Sequence, residues 1–363
     1  MSELACDACL TRAWLLQRLA GNLDVERARI WELLALGPEE LIAAVGGAQS
    51  DAVSREHREF GSAGARRARE RAAAAGLELL CRCEDRYPAS LRQLPAPPAV
   101  LHIAGGLQRF LGLCGQDPVA IVGSRNASAY GRGVARSLGG GIGACGMTVI
   151  SGMARGIDTE AHTGTLEAGG GTVAVLPGPA NVPVPVSARR LHARVAQLGA
   201  TVSEVPPDTP VRNWMYPARN RIIAALARFV VVVEAAARSG SLRTAEAAAS
   251  LGRPLGAVPG QVTNPRAAGS NALLAGGARL VRDVQDVLDA VHGVGARAAP
   301  LDPRPSPSTE QSAILSAIAG GTDTVGALVS RGIGGERCLS EVAALELAGR
   351  LRRGAGGRLA VIP

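Results

Sequence analysis

Asp158 and His162 are the side chains whose spacing would best suit acid–base chemistry. They are four residues apart, so on a helix they would share a face and could act as an acid–base pair or as two metal ligands. The simpler interpretation is that Asp158 caps the helix N-terminus and His162 makes a local hydrogen bond. We adopt it because neither Gly-x-Ser-x-Gly nor His-Glu-x-x-His occurs in the chain. We therefore predict no catalytic residue and no enzyme activity.

The cysteines could bind a metal. Cys6 and Cys9 have the spacing of half a zinc site, and Cys81 with Cys83 could supply the other half. A closed site needs all four ligands in one place, and the sequence does not show that the two pairs meet. The alternative is that these cysteines are ordinary small core residues. We adopt this alternative and predict neither a metal nor a cofactor.

Small and basic residues follow several predicted strands. In an open parallel sheet, ligands bind at the carboxyl ends of the strands, where glycine admits a close backbone approach and helix N-termini offer free N–H groups. The residues in such positions that we expect to contact phosphates are Gly123, Ser124, Arg125, Ser151, Gly152, Ser239, Gly240 and Ser241. Their spread over several loops favours a chain of phosphates, although each loop alone could be only a tight turn. The dinucleotide fingerprint Gly-x-Gly-x-x-Gly is absent.

The segment 212–221 concentrates aromatic and basic residues. Aromatic residues make up only 2% of the chain, yet Trp214 and Tyr216 stand here among three arginines. Bases stack on aromatic rings while arginines neutralise the backbone, so we expect this loop to contact nucleic acid. The residues that we assign to the contact are Arg212, Asn213, Tyr216, Arg219, Asn220 and Arg221. The alternative is that both aromatic rings pack under the loop and one arginine pairs with a carboxylate.

The elements that would position these loops are short β-branched runs separated by helices. We predict strands at 119–122, 147–150, 172–176, 200–202, 229–233 and 255–258. Because the runs are continuously apolar, both faces of each strand are expected to be covered, which is typical of a parallel sheet built from βαβ units. The predicted fold is α/β, with a Rossmann-like, doubly wound, mainly parallel sheet.

The chain divides into four segments by composition and periodicity. We predict a small helical domain over 1–85, the Rossmann-like domain over 86–293, a Pro/Ala-rich linker over 294–308 and a winged-helix-like domain over 309–363.

The charge suits a polyanionic partner. The formal net charge is +8, and all 39 basic residues are arginine, whose planar guanidinium can grip two phosphate oxygens. Without lysine there can be neither Schiff-base chemistry nor a Walker A lysine. No apolar run approaches the roughly 20 residues that span a bilayer, and the first residues do not form a secretory signal. We expect a cytoplasmic protein.

Motifs between about 86 and 290 closely resemble the DNA-processing protein A (DprA/Smf) family. The segments that carry the resemblance are Gly123-Ser124-Arg125, 151–158 with Ala161-His162, 217–221, 238–241 with Thr244-Ala245, Pro259-Gly260 and 269–271 with 276–278. The loop 177–185 departs from the family pattern. The flanking segments look like the family's N-terminal helical domain, of the SAM or helix-hairpin-helix kind, and its C-terminal winged helix.

The resemblance implies a homodimer that binds single-stranded DNA and loads RecA recombinase onto it during natural transformation, displacing single-strand-binding protein. It also implies that Arg125, the loop around Tyr216 and the arginines at 219 and 221 line the DNA groove. From the matching motifs we add Arg155, Gly156 and Asn271 to the expected DNA contacts. Arg212 and Arg279 are the expected substitutes for the family's groove lysines.

Two other functions stay open at the level of sequence. One is a nucleotide-processing enzyme of the nucleoside-monophosphate phosphoribohydrolase type, but such enzymes carry Pro-Gly-Gly-x-Gly-Thr, and Pro259-Gly260-Gln261 does not continue that way. The other is a duplex binder that uses 309–363 and keeps the sheet as a ligand sensor.

Overall fold

One large sheet organises the part of the chain that the computed structural model describes, residues 5–299, 306–332 and 334–362. Its strands are β1 (Glu78–Cys81), β2 (Val100–Ala104), β3 (Val119–Val122), β4 (Val149–Ser151), β5 (Thr172–Val175), β6 (Ala200–Ser203), β7 (Phe229–Val232), β8 (Leu255–Ala257) and β9 (Arg279–Leu280). They lie in the order β1-β2-β6-β5-β4-β3-β7-β8-β9. In this order, the strands β6, β5, β4, β3, β7, β8 and β9 run parallel to one another. β1 and β2 add an antiparallel edge beside β6.

The mainly parallel, doubly wound sheet confirms the predicted fold. Each of the six predicted strands is present, with its ends shifted by at most two residues. Three strands were not predicted: β1, β2 and β9. β9 is only two residues long, and the two antiparallel strands precede the βαβ pattern from which the sheet was inferred.

Helices cover both faces of the sheet and make up most of the described segments before and after it. They are α1 (Asp7–Arg18), α2 (Ala20–Val25), α3 (Ile30–Ala35), α4 (Pro38–Val45), α5 (Ser50–Ala74), α6 (Ala89–Arg92), α7 (Leu107–Cys114), α8 (Ala129–Ala144), α9 (Ile157–Glu167), α10 (Arg189–Leu198), α11 (Met215–Leu226), α12 (Leu242–Ser250), α13 (Ala268–Ala275), α14 (Val284–His292), α15 (Thr309–Ala319), α16 (Val325–Ser330) and α17 (Gly335–Leu347). No helix in the described residues is both long and apolar enough to cross a bilayer.

Alternate residues of the central strands enter two separate apolar cores. Val119 and Ile121 of β3 pack with α8, α9 and α14 on one face, whereas Ala120 and Val122 pack with α11 and α12 on the other. The period of two is that of an extended strand. This double burial explains why the strands are continuously apolar in sequence, and it holds the strand ends in fixed relative positions.

The N-terminal helices pack against the sheet rather than standing apart from it. Their core includes Trp214, Met215 and Ala218 from the start of α11. Residues 78–81, which the sequence interpretation places in the N-terminal helical segment, form β1 and pair with β2. The helical segment in the structure therefore ends before residue 78, because the short apolar run after α5 completes the sheet edge.

The C-terminal segment forms α15, α16 and α17, followed by an antiparallel ribbon of β10 (Leu351–Arg353) and β11 (Leu359–Val361). Its buried core comes from these elements alone. The assignment of this segment as a winged helix stays a prediction. Most of the prolines of the predicted linker, at 300, 303 and 305, lie outside the described residues.

Candidate nucleic-acid interface

A cleft opens where the chain path reverses across the sheet. From β3 the chain runs outward through β4, β5 and β6 on one side, and β7, β8 and β9 continue on the other. Such a switch point leaves a crevice at the carboxyl ends of the strands. Here the cleft has a volume of about 900 Å³, and it is lined by residues after β3, β4 and β7, by the start of α11 and by Arg27 of the N-terminal segment.

A pair formed by Arg125 and Tyr216 stands in the middle of this surface. The guanidinium carbon of Arg125 lies 4.8 Å from the centre of the Tyr216 ring, within cation–π range. Both residues also border an adjoining smaller cleft of about 240 Å³, which we call the side cleft. Pro177, Val184 and Pro185, from the loop that departs from the family pattern, line the side cleft.

The two clefts carry unpaired positive charge. Arg27, Arg125, Arg238 and Arg243 line the main cleft and Arg155 lines the side cleft, and all five are exposed. Among the described residues, no carboxylate forms an ion pair with any of these five guanidinium groups. Asp158 is the single acidic residue among those that line the two clefts in the described chain. The surface is therefore suited to an anion with several charges.

A buried layer beneath the cleft holds Asp158 and Arg219. Arg219 is 7% exposed, and its Nη1 donates a hydrogen bond of 2.7 Å to the carbonyl of Val175. Burial lowers the pKa of Arg219 to about 10, and the charge of Asp158 opposes this effect. Burial raises the pKa of Asp158, and the charge of Arg219 opposes this effect. Arg219 thus lies under the cleft floor with little surface to offer a ligand.

Gly152 packs directly against the guanidinium in this layer. A Cβ atom at position 152 would lie 1.5 Å from Nη1 of Arg219, so a larger residue there would force the buried guanidinium out of its position. The absence of a side chain lets the guanidinium pass under the loop after β4. The sequence interpretation assigned Gly152 to phosphate contact; it does line the side cleft, but its packing against Arg219 is sufficient reason for glycine.

Asp158 and His162 do not form an acid–base pair. The carboxylate of Asp158 accepts backbone N–H bonds from Gly152 at 3.1 Å and Ala154 at 3.4 Å, so it holds the loop after β4. The prediction that Asp158 caps α9 is wrong, since Gly156 is the N-cap residue and no side chain caps this helix. His162 makes a hydrogen bond as predicted, but the bond is not local: its Nδ1 lies 2.7 Å from Oγ1 of Thr172, ten residues further along the chain on β5.

Serine and asparagine side chains shape the loop after β7. The hydroxyls of Ser239 and Ser241 are 2.8 Å apart, and Nδ2 of Asn220 donates to the carbonyl of Gly240 at 3.2 Å. Glu234, at the end of β7, is buried and accepts the backbone N–H of Ser128 at 3.0 Å, so it supports the start of α8. These bonds fix the loop that presents Arg238 to the cleft.

Most of the sequence-predicted site residues meet at these clefts. Those that line the main cleft are Gly123, Ser124, Arg125, Asn213, Tyr216, Arg219, Asn220, Ser239, Gly240 and Ser241. Gly152 and Arg155 line the side cleft with Arg125, Tyr216 and Arg219.

Six predicted residues line neither cleft. Ser151 is fully buried and donates to the carbonyl of Ile121 at 2.6 Å, and Gly156 takes a φ of +82° at the start of α9. Arg221 is buried in an ion pair with Glu204, with Nη2 to Oε2 at 2.6 Å. Asn271 bonds both backbone groups of Gly260 at 3.0 Å. Arg212 and Arg279 are exposed, but neither lines a cleft. Ser151, Gly156, Arg221 and Asn271 therefore have structural roles in these positions.

The segment 212–221 is not one loop before a strand, as the sequence interpretation had it. Helix α11 begins at Met215, so Tyr216 and the residues after it are helical. Trp214 is 2% exposed, and its Nε1 donates to the carbonyl of Ala20 at 3.0 Å. The packing alternative is therefore correct for Trp214, whereas Tyr216 borders the clefts.

Three cleft arginines were absent from the predicted site: Arg27, Arg238 and Arg243. Arg238 and Arg243 flank the Ser239–Ser241 motif, so their proximity to a predicted contact was a usable signal. Arg27 comes from the N-terminal segment, between α2 and α3, and nothing in the sequence indicates that this segment reaches the sheet.

Comparison with known proteins places most of the chain in one family. Residues 78–292, more than half of the chain, match the family described as DNA recombination-mediator protein A. A putative DNA processing protein DprA of Mycobacterium tuberculosis is 39% identical over 237 residues, which cover 63% of this chain and 61% of that protein. The chain thus spans less than two thirds of this relative's length.

Two solved structures share the architecture. The X-ray structure of DNA processing protein A from Streptococcus pneumoniae is 29% identical, with a TM-score of 0.62, and the match covers 77% of this chain and 95% of that one. DNA processing protein A from Helicobacter pylori, whose structure was described for its single-stranded DNA binding mode, is 25% identical with a TM-score of 0.53 over 59% of this chain and 96% of that one.

Proposed function

This chain belongs to the DNA recombination-mediator protein A family, and on that premise we propose that it binds single-stranded DNA in the cleft at the ends of β4, β3 and β7. The observation that carries the proposal is the set of five exposed arginines without a carboxylate partner among the described residues, grouped around Tyr216. A family relative from Helicobacter pylori, described for its single-stranded DNA binding mode, supports it.

The arrangement suits a single strand. The arginines are spread over loops from three adjacent strands and from the N-terminal segment, so they can follow a backbone of several phosphates. Tyr216 borders both clefts, and the guanidinium of Arg125 covers one face of its ring; a base can stack on the outer face of this planar guanidinium, or on the ring if Arg125 moves to a phosphate. Inside a duplex both faces of a base are covered by the neighbouring base pairs, so a base that stacks on a protein side chain is most readily supplied by a single strand.

We propose that the site binds DNA without chemistry of its own. Among the described residues, no histidine or cysteine lines either cleft, and the carboxylate of Asp158 is buried and engaged by two backbone N–H groups. The rival function is hydrolysis of nucleoside monophosphates. It would need an acid and a base side by side at the cleft.

Fluorescence anisotropy with labelled oligonucleotides tests the proposal. We expect tighter binding to a single strand than to a duplex of the same sequence. If the five arginines each neutralise one phosphate, the slope of log K against log salt should be about −3.5. The double variant Arg125→Ala/Arg238→Ala should flatten this slope by about 1.4.

Arg194→Ala is the matched control, because Arg194 of α10 is exposed and lines neither cleft. An unchanged slope in the double variant would refute the proposed interface. Release of free base from nucleoside monophosphates, measured on the same preparation, would favour the enzymatic rival instead.

We further propose that the protein is a homodimer that loads RecA recombinase onto single-stranded DNA during natural transformation and displaces single-strand-binding protein. Membership of a recombination-mediator family supports this role. Light scattering coupled to gel filtration should give twice the chain mass. RecA filament formation on DNA coated with single-strand-binding protein should accelerate when the chain is added, and no acceleration would contradict the mediator role.

A further inference from the structure

Four cysteine thiols meet at one point, away from the clefts. Cys6 and Cys9 lie at the start of α1, and Cys81 and Cys83 lie at the end of β1 and in the turn after it. The four Sγ atoms all lie within 4.8 Å of one another, and those of Cys9 and Cys83 are 3.6 Å apart. Pairs more than 70 residues apart in the chain are thus brought together by the fold.

The spacing of these sulfur atoms matches a tetrahedral site. Zinc bound by thiolates has Zn–S distances of about 2.3 Å, so the sulfur atoms at the corners of the tetrahedron are about 3.8 Å apart. The Cys9–Cys83 separation of 3.6 Å is close to this value, and no Sγ–Sγ separation in the cluster exceeds 4.8 Å. The largest separation exceeds the ideal value by about one ångström.

The burial of the four residues suits a structural metal. Cys9 is 3% and Cys81 1% exposed, Cys6 is half-buried and Cys83 is exposed. Cys9 and Cys81 belong to a core shared by α1, α5, β1 and β2, which includes Phe60 and Val100. Cys6 is the N-cap of α1 and Cys9 lies in its first turn, where the helix dipole stabilises negative charge and therefore thiolates.

The turn that carries Cys81 and Cys83 is held in place by bonds independent of sulfur. The backbone N–H of Cys81 donates to Oε1 of Glu84 at 2.9 Å, and the N–H of Glu84 donates to the carbonyl of Cys81 at 3.0 Å. Glu84 is 8% exposed and pairs with Arg86 at 2.9 Å. The two cysteines of this turn are thereby preset to point at α1.

The other half of the site is also held from outside. Arg69 of α5 donates from Nε and Nη2 to the carbonyl of Ala5, at 3.1 and 2.7 Å, and it pairs with the carboxylate of Asp7. These bonds flank Cys6 on both sides and fix the start of α1. Bonds of this kind that orient ligands are typical of metal sites.

We propose that Cys6, Cys9, Cys81 and Cys83 bind one zinc ion as four thiolates. Two disulfides would need two separate pairs, whereas all four thiols here surround one point. A four-iron cluster binds each cysteine to a different iron and a two-iron cluster binds two cysteines to each of its two irons, so both need some of the cysteine sulfur atoms farther apart than a single ion does. Formation of the site releases the thiol protons to solvent, and the ion joins α1 to β1, so that the N-terminal helices are held on the sheet edge.

Metal analysis of the full chain, purified without a histidine tag and without chelator, tests the site. We expect about one zinc per chain in the wild-type protein. Replacing zinc by Co²⁺ should give the visible absorption bands of tetrahedral cobalt–thiolate coordination. Removal of zinc by a chelator should lower the midpoint of thermal unfolding.

Cys83→Ser is the informative variant, because Cys83 is exposed and its replacement should leave the fold intact. It should lose most of the zinc, and a chelator should no longer change its thermal midpoint. Cys114→Ser, at a free cysteine outside the cluster, is the matched control and should keep full zinc content.

Three results would overturn the zinc site. The reduced wild-type protein could fail to take up Zn²⁺, it could carry iron in stoichiometric amount, or mass spectrometry could find a disulfide among the four cysteines in fresh protein. None of these measurements depends on DNA, so they leave the proposed function untouched.

Discussion

Arginine has two different roles in this protein, which the residue type alone does not separate. Arg125 is exposed over Tyr216 without a carboxylate partner among the described residues, so its charge is available to a ligand. Arg221 lies four residues after Pro217 on α11. It is buried in an ion pair with Glu204. A buried charge of this kind is matched within the fold and cannot serve a phosphate.

Tyr216 carries the first residue-level prediction. Tyr216→Leu should weaken single-stranded DNA binding by roughly 5- to 150-fold, because base stacking on an aromatic ring contributes about 1–3 kcal/mol per base. Tyr216→Phe is the control and should bind like wild type, since the hydroxyl of Tyr216 makes no hydrogen bond within the described chain. Anisotropy titrations at one salt concentration measure both. Equal affinity of the leucine variant would show that no base stacks there.

Helix α11 links the N-terminal helices to the cleft, and this connection belongs to the scale of elements. Trp31 of α3 donates from Nε1 to the carbonyl of Pro217 at 2.9 Å. The backbone N–H of Trp214 donates to Asp24 at 3.0 Å. The helix that presents Tyr216 to the clefts is therefore anchored at its start by a different segment of the chain.

Trp214→Ala should lower the free energy of unfolding by about 3–5 kcal/mol, because it leaves a large cavity at this junction. It should also weaken DNA binding, since Arg27 and Tyr216 would lose their fixed spacing. Trp214→Phe keeps most of the buried surface and loses the bond to Ala20, so a cost of about 1 kcal/mol is expected. Urea unfolding of the three proteins is the measurement; similar stability of wild type and the alanine variant would contradict the anchoring role.

Two buried histidines make the stability of the sheet domain depend on pH. Burial lowers the pKa of His102 on β2 to about 4 and that of His162 on α9 to about 3, and the charge of Arg219 adds to the effect on His162. Both are neutral in the folded protein, whereas the unfolded chain takes up protons below about pH 6.5. The free energy of unfolding should therefore fall as the pH drops below 6.5 toward the folded-state values.

Between pH 7.5 and 5.5 each of these histidines should cost about 1.4 kcal/mol of stability. His102→Gln should remove the contribution of one histidine. The free energy of unfolding of this variant should therefore fall by about 1.4 kcal/mol less than that of the wild type over the same pH range. Urea unfolding at the two pH values measures the difference. A variant with the wild-type pH dependence would show that His102 is not the titrating group.

At the scale of the whole molecule, the structure separates the cleft from the C-terminal segment. The core of that segment comes from its own helices and ribbon, and none of its described residues lines either cleft. A chain that ends at residue 305 should bind single-stranded DNA within about twofold of the full chain, since it keeps all the expected phosphate contacts. Loss of binding in gel shifts would favour the duplex-binding alternative that places recognition in 309–363.

The sequence by itself determined the sheet and its functional edge. Continuous apolar runs such as 229–233 require burial on both faces, and small residues after them mark the carboxyl edge, because both signals are local in the chain. Gly123, Ser124, Arg125 and Tyr216 could be assigned to the site for the same reason. The β1 and β2 strands escaped this reasoning because they pair antiparallel at the sheet edge, outside the βαβ repeat.

Only the tertiary structure decided which side chains share a location. Arg221 has the residue type of a phosphate ligand, but the rotation of α11 directs it to Glu204, and Arg27 reaches the cleft from a helical segment far away in the chain. The four cysteines meet because β1 joins the sheet beside α1. Long-range packing sets these contacts, and spacing along a sequence carries no information about which distant segments pack together.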